Sequence, residues 1–477
     1  MNTSSALYDT SSTTSPRTGQ NNEVATLPLI SHADADAVVA YRSGTPIRAG
    51  QFLSDVARVA AALPEGQHVL NVCGDRYRFT VGFAASLIRG KVSLLPSTHT
   101  PEVIRQLAVF APDAFCLTDD PKCDIALPRT YFPQVKGEVT AGLAVPAIAS
   151  EQLAAYVFTS GSTGTPLPYR KTWGRLLRCV HNGARRLGLL DGLAHSGRTH
   201  TIIGTVPPQH MYGFESSVLL GLQTGSALCA ERPFYPADIC SVLASAPRPR
   251  VLVSTPVHLR ALLAAAVPLP ETDLIVSATA PLSHELAREV EAAFATRLLE
   301  IYGSTETGQI ATRRTAETTE WQLWPGVTLT LKDDGRAWVQ GGHVEQPTPM
   351  CDVLELTEGD RFLLHGRTAD LVNIAGKRSS LAYLNHQLSS IRGVVDATFF
   401  FPDETHASST GVTRVAAFVV APSLDAATLT EELRRRIDPV FLPRPLMFVE
   451  KLPRNGTGKL PQEALRELAA RHLRPPT

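Results

Sequence analysis

Thr159-Ser160-Gly161-Ser162-Thr163-Gly164-Thr165-Pro166 alternates hydroxyls with glycines directly after the apolar run Ala154–Phe158. The run reads as a buried strand, so the octet marks a strand-to-loop transition. Glycine lets a backbone turn tightly and come close to an anion, while Ser and Thr supply donors to phosphate oxygens. In isolation the same letters would suit a low-complexity turn. Three stretches further along argue otherwise: Tyr302-Gly303-Ser304-Thr305-Glu306, then Gly366-Arg367, then Asn455-Gly456-Thr457-Gly458-Lys459 near the C-terminus.

The chain around the loop alternates helix and strand. Upstream, Gln51–Leu63 carries apolar residues at helical spacing, Gln67–Cys73 reads as a short buried strand, Tyr77–Arg89 is helical again, and Val92–Leu95 is a strand. Downstream, strand candidates Thr201–Val206, Val251–Ser254 and Leu274–Ala278 alternate with helices Pro256–Ala266 and Ser283–Ala295. Alternation of this kind predicts an α/β fold with parallel sheets and crossover helices. From Val327 to Leu364 the sequence turns strand-rich, with Lys332-Asp333-Asp334-Gly335 as a turn between two β-prone runs. After Asp370 a small α+β segment follows: strands Ala397–Phe401 and Val415–Val420, helix Leu429–Ile437, then the terminal lysine loop.

At 477 residues the chain is too long for one ordinary core, so two or more domains are expected. Basic and acidic residues balance at 45 each, which argues against a nucleic-acid binder held by bulk charge. The seven cysteines are scattered without a CxxC pair, as expected of free, mostly buried thiols in a reducing cytoplasm rather than disulfides or zinc ligands. No apolar run is long enough to span a bilayer. Residues 1–25 are rich in Ser, Thr and Asn, lack an apolar signal core, and read as a disordered tail.

The four motifs, in this order, resemble the core motifs of the adenylate-forming superfamily: acyl- and aryl-CoA synthetases, adenylation domains and luciferases. The resemblance runs from about Ala37 to about Leu468. It implies a large N-terminal domain of stacked α/β subdomains plus a small β-barrel-like part over 26–367. A small mobile α+β domain over 370–477 would carry the terminal lysine. It also implies ATP and Mg²⁺ as cofactors. Residues Thr159, Ser160, Gly161, Ser162, Thr163 and Gly164 would cradle the β- and γ-phosphates. The lysine usual after the proline is replaced by Leu167, leaving Lys171 or Arg170 to supply the missing charge.

In the same resemblance Glu306 would hold Mg²⁺ and Thr305 would donate its hydroxyl to a phosphate oxygen. Tyr302 would stack on the adenine beside Gly303 and Ser304. Two aspartates compete for the ribose hydroxyls. Thr357-Glu358-Gly359-Asp360 has the wording of the family's TGD motif but lies too close to Arg367; Asp352 has the right separation and is preferred, with Asp360 as a turn residue. Arg367 would reach the ribose or a phosphate. Lys459, after Leu452-Pro453-Arg454, would deliver a cation to the transferring oxygen. Ala369 stands where the family generally has an acidic or basic hinge residue, with Asp370 next to it. Domain alternation about this hinge would bring either Lys459 or the Gly376-Lys377 loop to the N-terminal domain.

Pro207-Pro208-Gln209-His210-Met211-Tyr212-Gly213 resembles the family's motif before the acyl pocket, so His210 and Tyr212 are expected to line it, His210 near the substrate carboxylate. Ser277-Ala278-Thr279-Ala280-Pro281-Leu282 matches the family's Gly-Gly-Ala-Pro-Leu segment with both glycines changed. Bulkier residues there narrow the pocket, which suits a short, flat acid, and Thr279 is placed to hydrogen-bond a ring hydroxyl. With Ser277 and Gly303 these residues form the expected substrate pocket. The departures resemble most the hydroxybenzoate ligases of aryl-polyene (xanthomonadin-type) pigment pathways. The expectation is an AMP-forming ligase that joins 3- or 4-hydroxybenzoate to the thiol of acyl carrier protein or CoA. A fatty acyl-CoA synthetase and a non-catalytic nucleotide-binding protein are the alternatives. Arg434-Arg435-Arg436 reads as a solvated helix face.

Overall fold

The computed structural model describes residues 25–96, 98–133, 144–159, 167–190, 199–333, 335–367, 371–374, 377–401, 414–455 and 458–472. The architecture is α/β, as the alternation predicts. A six-stranded sheet runs in the order Leu167–Thr172, Leu153–Thr159, Val92–Leu95, His68–Asn71, Phe115–Thr118, Arg129–Tyr131. An eleven-stranded sheet holds at its centre Leu298–Ser304, Leu274–Ser277, Arg250–Ser254 and Thr201–Gly204, neighbours paired in parallel. One flank continues through Ala227–Cys229 to the hairpin Val38–Arg42/Thr45–Arg48. The other flank turns antiparallel through Gly308–Arg313 and Trp321–Leu323 to the hairpin Asp352–Leu356/Arg361–Arg367. The strand-rich stretch also forms a three-stranded sheet, Val327–Leu331, Ala337–Gly341 and Val344–Pro349.

Helix ends are set by local chemistry. Asp75 caps helix Arg76–Ile88 by accepting from the Arg78 amide at 2.7 Å, and Thr255 and Ser283 cap Pro256–Ala264 and His284–Phe294. Gly188 ends helix Trp173–Leu187 at φ +73°, a left-handed conformation that glycine adopts without penalty. Helix Arg76–Ile88 is inward-facing almost throughout, and its first residue is a fully buried cation. The Arg76 guanidinium donates to Ser217 Oγ and to the carbonyls of Gly204, Val206, Cys229 and Glu231 at 2.7–3.3 Å. Five fixed donors satisfied at once are what let a charge sit there, and they tie the strand end at Gly204 to the loop that follows.

The apolar clusters built from residues between Leu29 and Phe362 share no member with those built from Ile374 to Leu468. The second group packs around strands Asp396–Phe400, Ala416–Val420 and Leu446–Phe448, with helices Leu381–Ser389 and Ala426–Arg434. Glu431 and Glu432 of the latter helix pair with Arg434, Arg435 and Arg436 at one-turn spacing, as a solvated face does. Six of the seven cysteines are buried, Cys351 is exposed, and all are free thiols. No helix among the described residues is long and apolar enough to cross a membrane.

Candidate active site

In an open parallel sheet the carboxyl ends of the strands form the natural ligand crevice, because helices cover both faces and the loops there are free to vary. Here the carboxyl ends of four neighbouring parallel strands come to one edge, and three of them deliver singled-out segments. Thr201–Gly204 leads to His210, Arg250–Ser254 to Thr255, Leu274–Ser277 to Thr279, and Leu298–Ser304 to Glu306.

The last of these reverses through Thr305–Thr307 into Gly308–Arg313, with a bulge at Tyr302/Gly303. A Cβ at Gly303 would lie 2.3 Å from the Gly308 carbonyl oxygen, so only glycine permits the tight return. Ser304 and Thr307 lock the turn reciprocally. The Ser304 amide donates to Thr307 Oγ1 at 3.2 Å, and the Thr307 amide to Ser304 Oγ at 3.3 Å. Thr305 and Glu306 are left half-buried at the tip. The Tyr302 ring packs 5.4 Å from Trp321 and 5.7 Å from Phe362, and its hydroxyl donates to Asp352 Oδ2 at 2.5 Å. Asp352 is the cross-strand partner of Arg367. The Tyr302–Asp352 bond therefore lies at the end of the terminal hairpin where Arg367 is the strand neighbour of Asp352. Asp360 is at the other end, its carbonyl accepting from the Leu323 amide and its carboxylate paired with Arg186 at 3.0 Å.

Glu306, Thr305 and Ser304 present oxygen donors, which suit a hard divalent cation. No cluster of three or more acidic, His or Cys ligands occurs among the described residues. A lone carboxylate with hydroxyls fits Mg²⁺, which characteristically takes one or two carboxylates and completes its shell with phosphates and water.

Lys171 lies on strand Leu167–Thr172, opposite Ala155 of the strand that precedes the hydroxyl-glycine loop. A register shift between Lys171 and Thr172 accompanies its burial, to 3% exposure. Its ammonium donates to the Glu306 carbonyl at 3.3 Å, and burial pulls its pKa down. Of the loop itself, Ser160, Gly161, Ser162, Thr163 and Gly164 lie outside the described residues, as do Ala369, Asp370, Gly376, Gly456 and Thr457. Thr159 is the last residue of strand Leu153–Thr159.

His210 precedes the one-turn helix Met211–Gly213. Burial, reinforced by the charge of Lys459, holds its pKa down at about 4, so the ring is neutral near pH 7. Tyr212 is buried, and its hydroxyl donates toward the carbonyls of Ser254 and Val276 at 3.1 and 3.0 Å, stitching two strand ends beneath the pocket segment. Ser277 is fully buried, with no hydrogen-bond partner for Oγ among the described residues. Thr279 has φ +79°, a left-handed conformation costly for a β-branched residue.

Lys459 is exposed on a compact turn. The Asn455 amide donates to the Lys459 carbonyl at 2.8 Å, and the Lys459 amide to Asn455 Oδ1 at 2.9 Å. Arg454 braces the turn from below, donating to the Gly458 carbonyl at 3.0 Å while gripping Asp396 through two bonds of 2.7 and 2.8 Å. Gly458, at φ +77°, comes so close to helix Pro256–Ala264 that a Cβ would stand 3.0 Å from Val257. The terminal lysine turn thus meets the strand-end crevice beside Val257.

Two contributors escaped the sequence reading. Arg76 anchors the entry to the His210 loop, and Glu215 is a fully buried acid behind the Glu306 turn. The available signal was the lone charge within an otherwise inward-facing stretch, Met211–Leu222 for Glu215.

The AMP-binding enzyme family model matches residues 31–344, well over half of the chain. A 4-coumarate–CoA ligase of Rhodobacter capsulatus is 33% identical over 324 residues, covering 66% of this chain and 76% of its own. A p-hydroxybenzoic acid–AMP ligase (FadD22) of Mycobacterium marinum is 24% identical over 482 residues, covering 90% of this chain and 66% of its own. In fold, the ATP-bound MatB of Rhodopseudomonas palustris superposes with a TM-score of 0.76 at 21% identity, over 92% of this chain and 97% of its own. The o-succinylbenzoate CoA synthetase of Bacillus subtilis, with its acyl-adenylate, gives the same TM-score at 16% identity, over 90% of this chain and 95% of its own. With the crevice built as described and the family model covering the four parallel strands whose ends form it, the chain belongs to the AMP-binding enzymes.

Proposed function

We propose that this chain is an ATP-dependent ligase that activates an aromatic carboxylic acid, 3- or 4-hydroxybenzoate, as the acyl-adenylate and passes it to a thiol of acyl carrier protein or CoA. The observation that carries the reading is the approach of the terminal lysine turn, through Gly458, to Val257 beside the strand-end crevice that holds His210 and the Tyr302–Asp352 pair. The similarity to ligases named for coumarate and p-hydroxybenzoate supports an aromatic acid. The resemblance to aryl-polyene ligases supports the carrier-protein acceptor.

In the first half-reaction a carboxylate oxygen bonds to the α-phosphorus of ATP and the bond to pyrophosphate breaks. Asp352 would accept from the ribose hydroxyls, held in place by the Tyr302 hydroxyl, while Arg367 across the strand supplies a cation for the ribose or phosphate. Tyr302 would pack against the adenine. Neutral His210 would lie near the substrate carboxylate, and Lys459 would set its positive charge beside the transferring oxygen in the transition state. Mg²⁺ bound at Glu306 would neutralise the phosphates. In the second half-reaction the thiol attacks the acyl carbon and AMP leaves. Residues 370–477 would swing as a unit about the neighbourhood of Asp370, withdrawing Lys459 and presenting Lys377.

The test is pyrophosphate release with ATP and Mg²⁺, without thiol, over a panel of benzoates, hydroxybenzoates, cinnamates and fatty acids. Turnover confined to hydroxybenzoates supports the assignment. Turnover on aliphatic acids alone moves the chain to fatty acyl activation, and no turnover with any acid overturns the ligase reading.

A further inference from the structure

A small cavity lies behind the Thr305–Glu306 turn, closed by Lys171, Arg175, Cys179, Glu215, Gly308 and His343. Lys171 and Glu215 are each 3% exposed. Lys171 holds the Glu306 carbonyl at 3.3 Å, while Glu215 Oε1 accepts from the Cys179 thiol at 3.3 Å. Glu215 Oε2 and both ring nitrogens of His343 have no hydrogen-bond partner among the described residues. Gly308 closes the turn at φ +77°, and a Cβ there would lie 3.1 Å from Glu215 Oε1 and 3.3 Å from Cys179 Sγ. The wall of the cavity is thus the underside of the turn itself.

Burying a lysine is costly, and well-packed hydrocarbon of similar volume is often as stable or more so. Charge here must therefore do something packing cannot. The carbonyl of Glu306 is what the ammonium reaches.

We infer that Lys171 and Glu215 position the Glu306 turn from beneath, Lys171 by gripping the Glu306 carbonyl and Glu215 by backing Gly308 at the end of the turn. Both are positioning residues. The functional consequence rests on the reading that Glu306 serves the metal of a bound nucleotide; the effect on the turn does not.

The experiment follows amide hydrogen exchange of the segment Gly303–Gly308, together with calorimetric affinity for ATP and Mg²⁺, in the full chain. In Lys171→Met, exchange of this segment should accelerate and nucleotide affinity weaken, each by about tenfold or more, as expected for loss of a charge-assisted bond. Glu215→Ala, which removes the support behind Gly308, should move both in the same direction by less. The double variant Lys171→Met/Glu215→Leu replaces the pair with hydrocarbon and should recover thermal stability, yet keep the loose turn and the weak affinity. Wild-type exchange of Gly303–Gly308 in that folded double variant overturns the proposal. A wild-type protein that binds no ATP would sink the ligase reading instead, and the exchange data would still judge the anchor.

Discussion

Asp352 and Arg367 are cross-strand partners at the open end of the hairpin Asp352–Leu356/Arg361–Arg367, while Asp360 occupies its closed end. The four steps along the strand from Asp352 to Leu356 alone carry the chain roughly 13 Å at ~3.3 Å per residue, and the turn to Asp360 follows. The motif wording points to Asp360, but the geometry gives the Tyr302 hydroxyl to Asp352 and the Arg186 guanidinium to Asp360. One carboxylate is oriented beside an aromatic ring at the crevice. The other is tied into a surface turn.

If Asp352 binds the ribose, Asp352→Asn should raise the KM for ATP by roughly 10- to 100-fold, the equivalent of one charge-assisted hydrogen bond of about 1.5–3 kcal/mol. Tyr302→Phe should have a smaller effect in the same direction, because it frees the carboxylate without removing it. Asp360→Asn should leave KM for ATP unchanged. Steady-state pyrophosphate release at varied ATP separates the three, and an Asp360 effect larger than that of Asp352 would reverse the assignment.

Lys459 should matter to one half-reaction only. Lys459→Ala removes the cation proposed to act on the transferring oxygen, so acyl-adenylate formation should slow by about 10²–10³-fold, in line with loss of one oriented electrostatic group. Thioester formation from preformed acyl-AMP should proceed at the wild-type rate. The side chain is exposed, so the midpoint of thermal unfolding should not move. Equal loss in both half-reactions would contradict the assigned role.

Local patterning made much of the fold legible. Val92–Leu95 has the limits read from its apolar run, and helix Arg76–Ile88 differs from the Tyr77–Arg89 expectation by one residue at each end, the start being fixed by the Asp75 cap. Sheet order was not legible, because it depends on long-range pairing. Val38–Arg42 lies beside Ala227–Cys229, a partnership nearly two hundred residues distant that no local period encodes. The same limit applies to side-chain direction. The sequence shows a lysine shortly after a phosphate-type loop, whereas a register shift in its strand accompanies burial of Lys171 behind the Glu306 turn. Glu215 was hidden because a lone acid in an apolar stretch declares burial without naming its partner.

His210 gives the site a pH signature in stability. Its pKa is 6.5 in the unfolded chain and about 4 in the native one, lowered first by burial and then by Lys459. Between those values the unfolded chain binds a proton that the native state refuses. Stability is therefore lost as pH falls from about 6.5 toward 4, and this contribution is flat above about pH 7. His343, held at about 3 by burial, adds a parallel slope, so the diagnostic is a difference between proteins. Urea unfolding of wild type and His210→Gln at pH 7.5, 5.5 and 4.5 should show the variant losing less stability on acidification. Identical slopes would mean that the imidazole titrates normally in the folded chain.

Thr279 separates stability from selectivity. At φ +79° a threonine bears backbone strain of about 1–3 kcal/mol, which a glycine would not. Part of that gain is returned, since glycine gives the unfolded chain more freedom. Thr279→Gly should therefore stabilise the protein by about 1 kcal/mol net, read as a higher midpoint in urea. The same change removes the hydroxyl and methyl placed after Ser277 at the strand-end crevice. If Thr279 pairs with a ring hydroxyl, the preference for hydroxybenzoate over benzoate in kcat/KM should fall by at least about tenfold, because a site that pairs a polar group discriminates against analogues lacking it. Activity toward longer, bulkier acids should rise in the same variant as the pocket floor opens. A more stable variant with unchanged selectivity would show that the strain is tolerated for packing alone and that ring-hydroxyl recognition lies elsewhere, with Ser277 the next residue to replace.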